Sequence, residues 1–160
     1  MITPTQINNI PSELKQLRQW VCHKNKIPII PGLDTAASSS DPSTWRTFQE
    51  AIQHAGNNDG IGFVFSADDP YVGIDIDHCI DENQLLSPDA KTIVNTLKSY
   101  TEKSQSGKGL HVICKGTLPS GARRNTNTGV EIYSDKRFFI VTGDKLSKTS
   151  AIADRPAEII

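Results

Sequence analysis

An α+β fold built on a mostly antiparallel sheet is what the sequence predicts, and three observations predict it. Helix-period and strand-period segments mix through the first hundred residues, whereas consecutive short strands separated by glycine-containing turns dominate the remainder of the chain. No stretch approaches the eighteen apolar residues of a membrane span. The balance of 36% hydrophobic and 22% charged residues is that of a globular chain, and 160 residues suffice for a single domain over 1–160 with a real core.

Near the N-terminus, Pro11 and Ser12 open a helix with Leu14, Leu17 and Trp20 at helical spacing, and "WVCHK" then reads as a strand. "IPIIPGLDTAASSS" is too rich in Pro, Gly and Ser for regular structure and predicts a surface loop. A second helix is expected with Asp41 as cap, Pro42 in the first turn, Trp45, Phe48 and Ile52 on one face and Gly56 as stop. "IGFVFS" and "YVGIDID", joined by the tight polar "ADDP", read as the two strands of a hairpin. Ser87 caps and Pro88 opens a third helix whose Ile93, Val94 and Leu97 face inward. Four strands are then expected in "YTEKSQ", "GLHVICKG", "GVEIYS" and "RFFIVTG". The tail "TSAIADRPAEII" turns towards helix, which hints at a longer protein.

The net charge of −1 argues against a generally basic nucleic-acid surface, but the charges are segregated. Residues 50–90 carry nine acidic side chains and no Lys or Arg, while residues 103–148 carry nine basic against three acidic ones. One part suits cations, the other a polyanion. Cys22, Cys79 and Cys114 are far apart with no CxxC pair and read as free buried thiols. The N-terminus has neither a basic nor an apolar leader region, so a cytoplasmic location with no membrane partner is expected.

Asp75 and Asp77 alternate with Ile74 and Ile76 and therefore share one face of a strand, roughly 7 Å apart. Like charges held that close repel unless something positive sits between them. On "GVEIYS", Val130 and Ile132 define one face and leave Glu131 on the other with Tyr133. Three carboxylates suit two Mg²⁺ or Mn²⁺ ions about 4 Å apart, since hard oxygen donors favour these over zinc. His78 and Cys79 lack any partner pair at zinc spacing. In "KSQSGKGLHVICKG" the P-loop spacing is absent; what remains is a turn of Ser104, Ser106, Gly107, Lys108 and Gly109, whose backbone N–H groups are expected to approach a phosphate, followed by His111. An acidic edge strand and a structural histidine would explain these motifs singly. Together they favour a site.

Taken in order, "QWVCHKNKIPIIP", "ASSSDPSTW", "GIGFVFSADDPYVGIDIDHC", "SYTEKSQSGKGLHV" and "VEIYSDKRFFIVTG" resemble the primase-polymerase domain of phage and plasmid replication proteins, in the archaeo-eukaryotic primase superfamily. The resemblance runs over roughly residues 14–143. It implies an RRM-like catalytic sheet joined to an N-terminal αβ module, metal ligation by Asp75, Asp77 and Glu131, and contact between Ser106, His111 and the phosphates of an incoming nucleotide. It also implies a template of single-stranded or primed DNA, dNTPs or rNTPs as substrates, and a helicase domain or subunit as partner. Relatives often carry Arg-Tyr-Phe where this chain has Arg137, Phe138 and Phe139, and an aromatic ring there bears on the choice of sugar.

The expected function is template-directed nucleotidyl transfer, with Asp75, Asp77, His111 and Glu131 catalytic. Ser104, Ser106, Gly107, Lys108, Gly109, Arg137 and Phe138 are the remaining nucleotide-binding candidates, and Lys115, Arg123, Arg124 and Lys136 the candidates for template contacts. A two-metal nuclease and a non-catalytic single-strand-binding module are the alternatives; the first predicts cleavage without dNTPs, the second binding without metal-dependent nucleotide affinity.

Overall fold

The computed structural model describes residues 2–118 and 129–155, and the backbone of 122–125. Helices α1 (Pro4–Asn9) and α2 (Ser12–Lys15) lead into β1 (Trp20–Lys24) and β2 (Ile27–Ile29); α3 (Phe48–His54) precedes β3 (Gly60–Phe65) and β4 (Tyr71–Ile76). After α4 (Pro88–Leu97) come β5 (Tyr100–Lys103), β6 (Leu110–Lys115), β7 (Ala122–Asn125), β8 (Val130–Tyr133) and β9 (Arg137–Val141). The strands form two antiparallel sheets, one ordered β2-β1-β3-β9 and the other β5-β6-β4-β8-β7. The α+β class holds.

Strand alternation assigns each residue of the second sheet to one of two faces. Val72, Ile74 and Ile76 of β4 join Leu110, Val112 and Cys114 of β6 beneath Ala90, Ile93, Val94 and Leu97 of α4. The helix sits where expected: the Ser87 hydroxyl accepts from the Ala90 N–H at 3.2 Å and Pro88 occupies the first turn. The opposite face carries Tyr71, Tyr100 and Ile113 into a core shared with Trp20, Phe63, Phe65 and Phe139 of the first sheet. The sheets approach so closely at Gly73 that a Cβ there would stand 2.5 Å from the Phe65 ring and 2.6 Å from Phe139. All three cysteines are buried and none is in a disulfide, as expected.

Several local expectations are corrected. β3 and β4 are not a hairpin: they belong to different sheets. Asp69 explains the step between them, because its carboxylate accepts the Ser66 N–H at 2.9 Å and the Tyr71 N–H at 2.7 Å, donors that flank the turn. Gln19 fixes that carboxylate from β1's side at 2.7 Å. The helix expected from Asp41 divides in two. Asp41 caps only a short 3-10 turn at Pro42–Thr44, after which Arg46 pairs with Trp20 in an extended bridge. Thr47 then caps α3, its hydroxyl accepting from the Glu50 N–H at 3.2 Å, so the working start signal is Thr-x-x-Glu in "TFQE". The loop at 27–40 contains β2, paired with β1 through a two-residue turn in which Asn25 and Lys26 both have positive φ, 51° and 65°. In the tail, residues 151–155 run extended against β5 and β6, where Ala151 accepts from the Tyr100 N–H at 3.1 Å and Ala153 from the Lys115 N–H at 2.8 Å; the helical turn expected at the end of the tail lies outside the described residues.

Candidate active site

The register of the second sheet places four polar residues in one row. Glu102 pairs with His111, His111 with Asp75, and Asp75 with Glu131 across β5, β6, β4 and β8. Residues directly opposite one another in an antiparallel ladder share a face, so all four lie on the side turned away from α4. Asp77 follows the end of β4, held by its N–H to the Gly129 carbonyl at 3.0 Å. Asp75, Asp77, Ser104, Ser106, His111, Arg137 and Phe138 line one cleft of about 420 Å³, where the open edge of the first sheet at β9 meets this row. Glu131 stands beside Asp75 in register, outside the described lining.

His111 is 8% exposed and lies between two carboxylates: Nε2 is 3.7 Å from Asp75 Oδ1 and Nδ1 is 3.6 Å from Glu102 Oε2. At these distances both are charge contacts rather than closed hydrogen bonds. The ring lies flat against Phe139, with centroids 4.5 Å apart and planes at 19°. Burial by itself lowers the imidazole pKa, but the Glu102 carboxylate, and after it Asp75, outweigh that and hold it above the ordinary value. For Asp75, burial pushes the carboxyl up to about 6; His111 opposes the rise, Asp77 and Glu131 add to it, and Lys26 opposes it. A carboxylate whose ionised form is penalised by burial and by neighbouring acids is a group that a cation would relieve.

The donor set of Asp75, Asp77 and Glu131 fits a hard divalent ion by its chemistry. Among the described residues no three His, Cys, Asp or Glu side chains form a closed metal-binding group. The arrangement is therefore an open pair of aspartates on the cleft with Glu131 adjoining.

The turn at 104–109 differs from the expected phosphate cradle. Its N–H groups are largely used internally: Gly107 donates to the Ser104 carbonyl at 2.9 Å, Lys108 to Ser106 Oγ at 3.2 Å and Gly109 to Ser104 Oγ at 3.1 Å. Gly109 is required by close approach to the first motif, since a Cβ there would stand 2.8 Å from the Ile76 carbonyl oxygen. Gly107 is required by its φ of +76°. What the turn offers the cleft is Ser104, Gln105 and Ser106, while Gly107 and Lys108 line a neighbouring depression with Asp81, Glu82 and Asp144.

The remaining candidates are dispersed. The Arg137 guanidinium lies 5.3 Å from the centroid of the Tyr133 ring. Phe138 packs over Gly62 and beside Val21, Val64 and Trp45 on the far face of the first sheet, reaching the cleft at its rim. Lys136 is exposed, with a φ of 54°. Lys115 stands at the opposite end of β6, paired with Glu13 at 3.0 Å. The side chains of Arg123 and Arg124 lie outside the described residues; on the backbone, Arg124 is in register with Glu131.

Sequence reasoning missed Glu102, Lys26, Gln105 and Tyr133, and read Phe139 only as part of the Arg137-Phe138-Phe139 run. Lys26 had a usable signal, because Asn25-Lys26 between two apolar runs is a two-residue hairpin turn once "IPI" is read as a strand. Glu102 had only the oddity of a carboxylate two residues after Tyr100 on an inward face. Its partner depends on the register.

Fold and cleft together define an α+β protein of two packed antiparallel sheets, with a cleft lined by carboxylates and a histidine. No family model matches the chain. The DNA primase-polymerase of Nitratiruptor phage NrS-1 is 38% identical over 144 residues, which cover 82% of this chain and 20% of the relative. The chain is homologous to one part of that protein, and the match supports a primase-polymerase domain. It spans about a fifth of the relative's length.

Proposed function

We propose that the chain carries out template-directed nucleotidyl transfer, as a DNA polymerase, a primase or both, in the replication of a phage, plasmid or other mobile element. The observation that carries this reading is the His111–Asp75–Glu131 row, with Asp77 beside it, in a domain homologous to part of a phage primase-polymerase. Two Mg²⁺ or Mn²⁺ ions, held by Asp75, Asp77 and Glu131, would supply activation of a primer 3′-hydroxyl and neutralisation of the triphosphate.

The chain's own residues do the rest. Ser104, Ser106 and the Nε2 edge of His111 hold nucleotide phosphates against the row of strands, and Arg137 and Lys26 face the same cleft as cations. Lys108 takes part from the adjoining depression, by extension of its side chain. Phe138 at the rim is placed to meet sugar or base. Lys136, Arg123 and Arg124 contact the template backbone; Lys115 does so from the far end of β6, in competition with Glu13. Single-stranded or primed DNA and dNTPs or rNTPs are the substrates, a helicase domain or subunit is the partner, and the work is cytoplasmic. No helix among the described residues is long and apolar enough to cross a membrane.

The test is one gel: primed and unprimed single-stranded templates, each with dNTPs or rNTPs and with Mg²⁺ or Mn²⁺. Primer extension or de novo product that Asp77→Ala abolishes is expected. Cleavage without dNTPs, or product from the Asp77→Ala protein, overturns the reading.

A further inference from the structure

Glu102 is the only buried acidic side chain among the described residues, at 1% exposure. A carboxylate so far from water must have its lone pairs satisfied. Oε1 accepts the Tyr100 hydroxyl at 2.8 Å and the Gly143 N–H at 3.2 Å, and Oε2 accepts the Thr142 N–H at 2.8 Å. These donors are neutral. The one ring nitrogen within reach is His111 Nδ1, which is 3.6 Å from Oε2 and has no hydrogen-bond acceptor of its own.

The same contacts join the two walls of the cleft. Glu102 stands on β5 in the second sheet, whereas Thr142 and Gly143 follow β9 in the first. His111 lies between these walls, with one ring face stacked on Phe139 of β9 and its Nε2 edge turned to Asp75. The stack by itself leaves the ring able to rotate in its plane, and the groups that oppose this are Glu102, Asp75 and the Ile140 backbone around its edge. A fixed carboxylate behind Nδ1 limits that freedom.

We infer that Glu102 is a positioning residue for His111, a buried carboxylate that pins the Nδ1 edge so that the Nε2 edge is presented to the polyphosphate of a nucleotide in the cleft. This rests on the reading of the cleft as a nucleotide site. It is the role that outer partners play for metal-bound histidines, where their loss costs about ten- to a hundredfold in affinity. It also gives the tie between β5 and the end of β9 a purpose beyond stability.

Calorimetric titration of the whole chain with dATP and Mn²⁺ tests it through a double-mutant cycle. Glu102→Gln is expected to weaken nucleotide binding about tenfold. Combined with His111→Ala, it is expected to add nothing to the effect of His111→Ala alone. Thr142→Val, which removes a hydroxyl 3.0 Å from Glu102 without touching His111, is expected to lower thermal stability and leave affinity unchanged. If Glu102→Gln does not fold, Glu102→Asp carries the same cycle. A wild-type protein that binds dATP while the two losses simply add, or while Glu102→Gln binds equally well, overturns the positioning role and leaves the nucleotide reading standing. Absence of metal-dependent binding by the wild type overturns both.

Discussion

The two faces of the five-stranded sheet come from the same strands and do opposite work. Beneath α4, β4 and β6 contribute Val72, Ile74, Ile76, Leu110, Val112 and Cys114, a surface that folding removes from water without conflict. On the other face the same strands carry Asp75 and His111, with Glu102 and Glu131 in the same row. There burial and neighbouring acids make the ionised form of Asp75 costly. One face supplies the stability that the other draws down.

The largest expected effect is at Asp77. Asp77→Ala removes an exposed carboxylate, and metal-dependent nucleotide incorporation is expected to fall more than about a hundredfold while stability stays within about 0.5 kcal/mol, measured by extension assay and thermal unfolding. If stability falls with activity, the faces are not separable.

The converse substitution is Ile74→Ala, one residue from Asp75 but facing α4. It is expected to cost about 2–5 kcal/mol in chemical denaturation and to leave the nucleotide affinity of the folded fraction unchanged.

Asp75→Asn sharpens the comparison through pH. The folded pKa of about 6 lies above the ordinary 3.8, so the penalty of ionising Asp75 is absent below pH 3.8, grows between the two values and is complete above about 6. The Asn variant is therefore expected to be more stable than wild type at pH 7, and this gain is expected to vanish at pH 3.5. Part of the shift is screened at the cleft mouth, so the gain is about 1–2 kcal/mol. A destabilised variant at pH 7 would show that the His111 contact outweighs burial.

The smallest effect belongs to Lys26. Lys26→Ala is expected to weaken nucleotide binding a fewfold at low ionic strength and hardly at all in high salt, since an exposed cation acts through screened charge. Calorimetry at two salt concentrations reads it.

Local chemistry in the chain determined a good deal by itself. The Asp75–Asp77 alternation placed both carboxylates on one face because a strand has a period of two, and Ser87-Pro88 placed α4 because a hydroxyl cap and a fixed φ favour a helix start. Glu131 was legible as sharing a face with Tyr133, and His111 as opposing Leu110, Val112 and Cys114, for the same reason. The partners of each strand were not legible. β3 and β4 looked like a hairpin, since no local signal showed that Asp69 would take the donors around the turn and send the chain to a second sheet. The turn at 104–109 looked like a free cradle, since whether an N–H is available depends on which oxygen has already claimed it. Glu102 reached the site only through register, and Lys26, on a turn that was legible, through the packing of one sheet on the other, contacts between residues far apart in the chain. Periodicity is written residue by residue; pairing is decided when distant strands compete for the same hydrogen bonds and the same core, and that competition has a winner only in the folded protein.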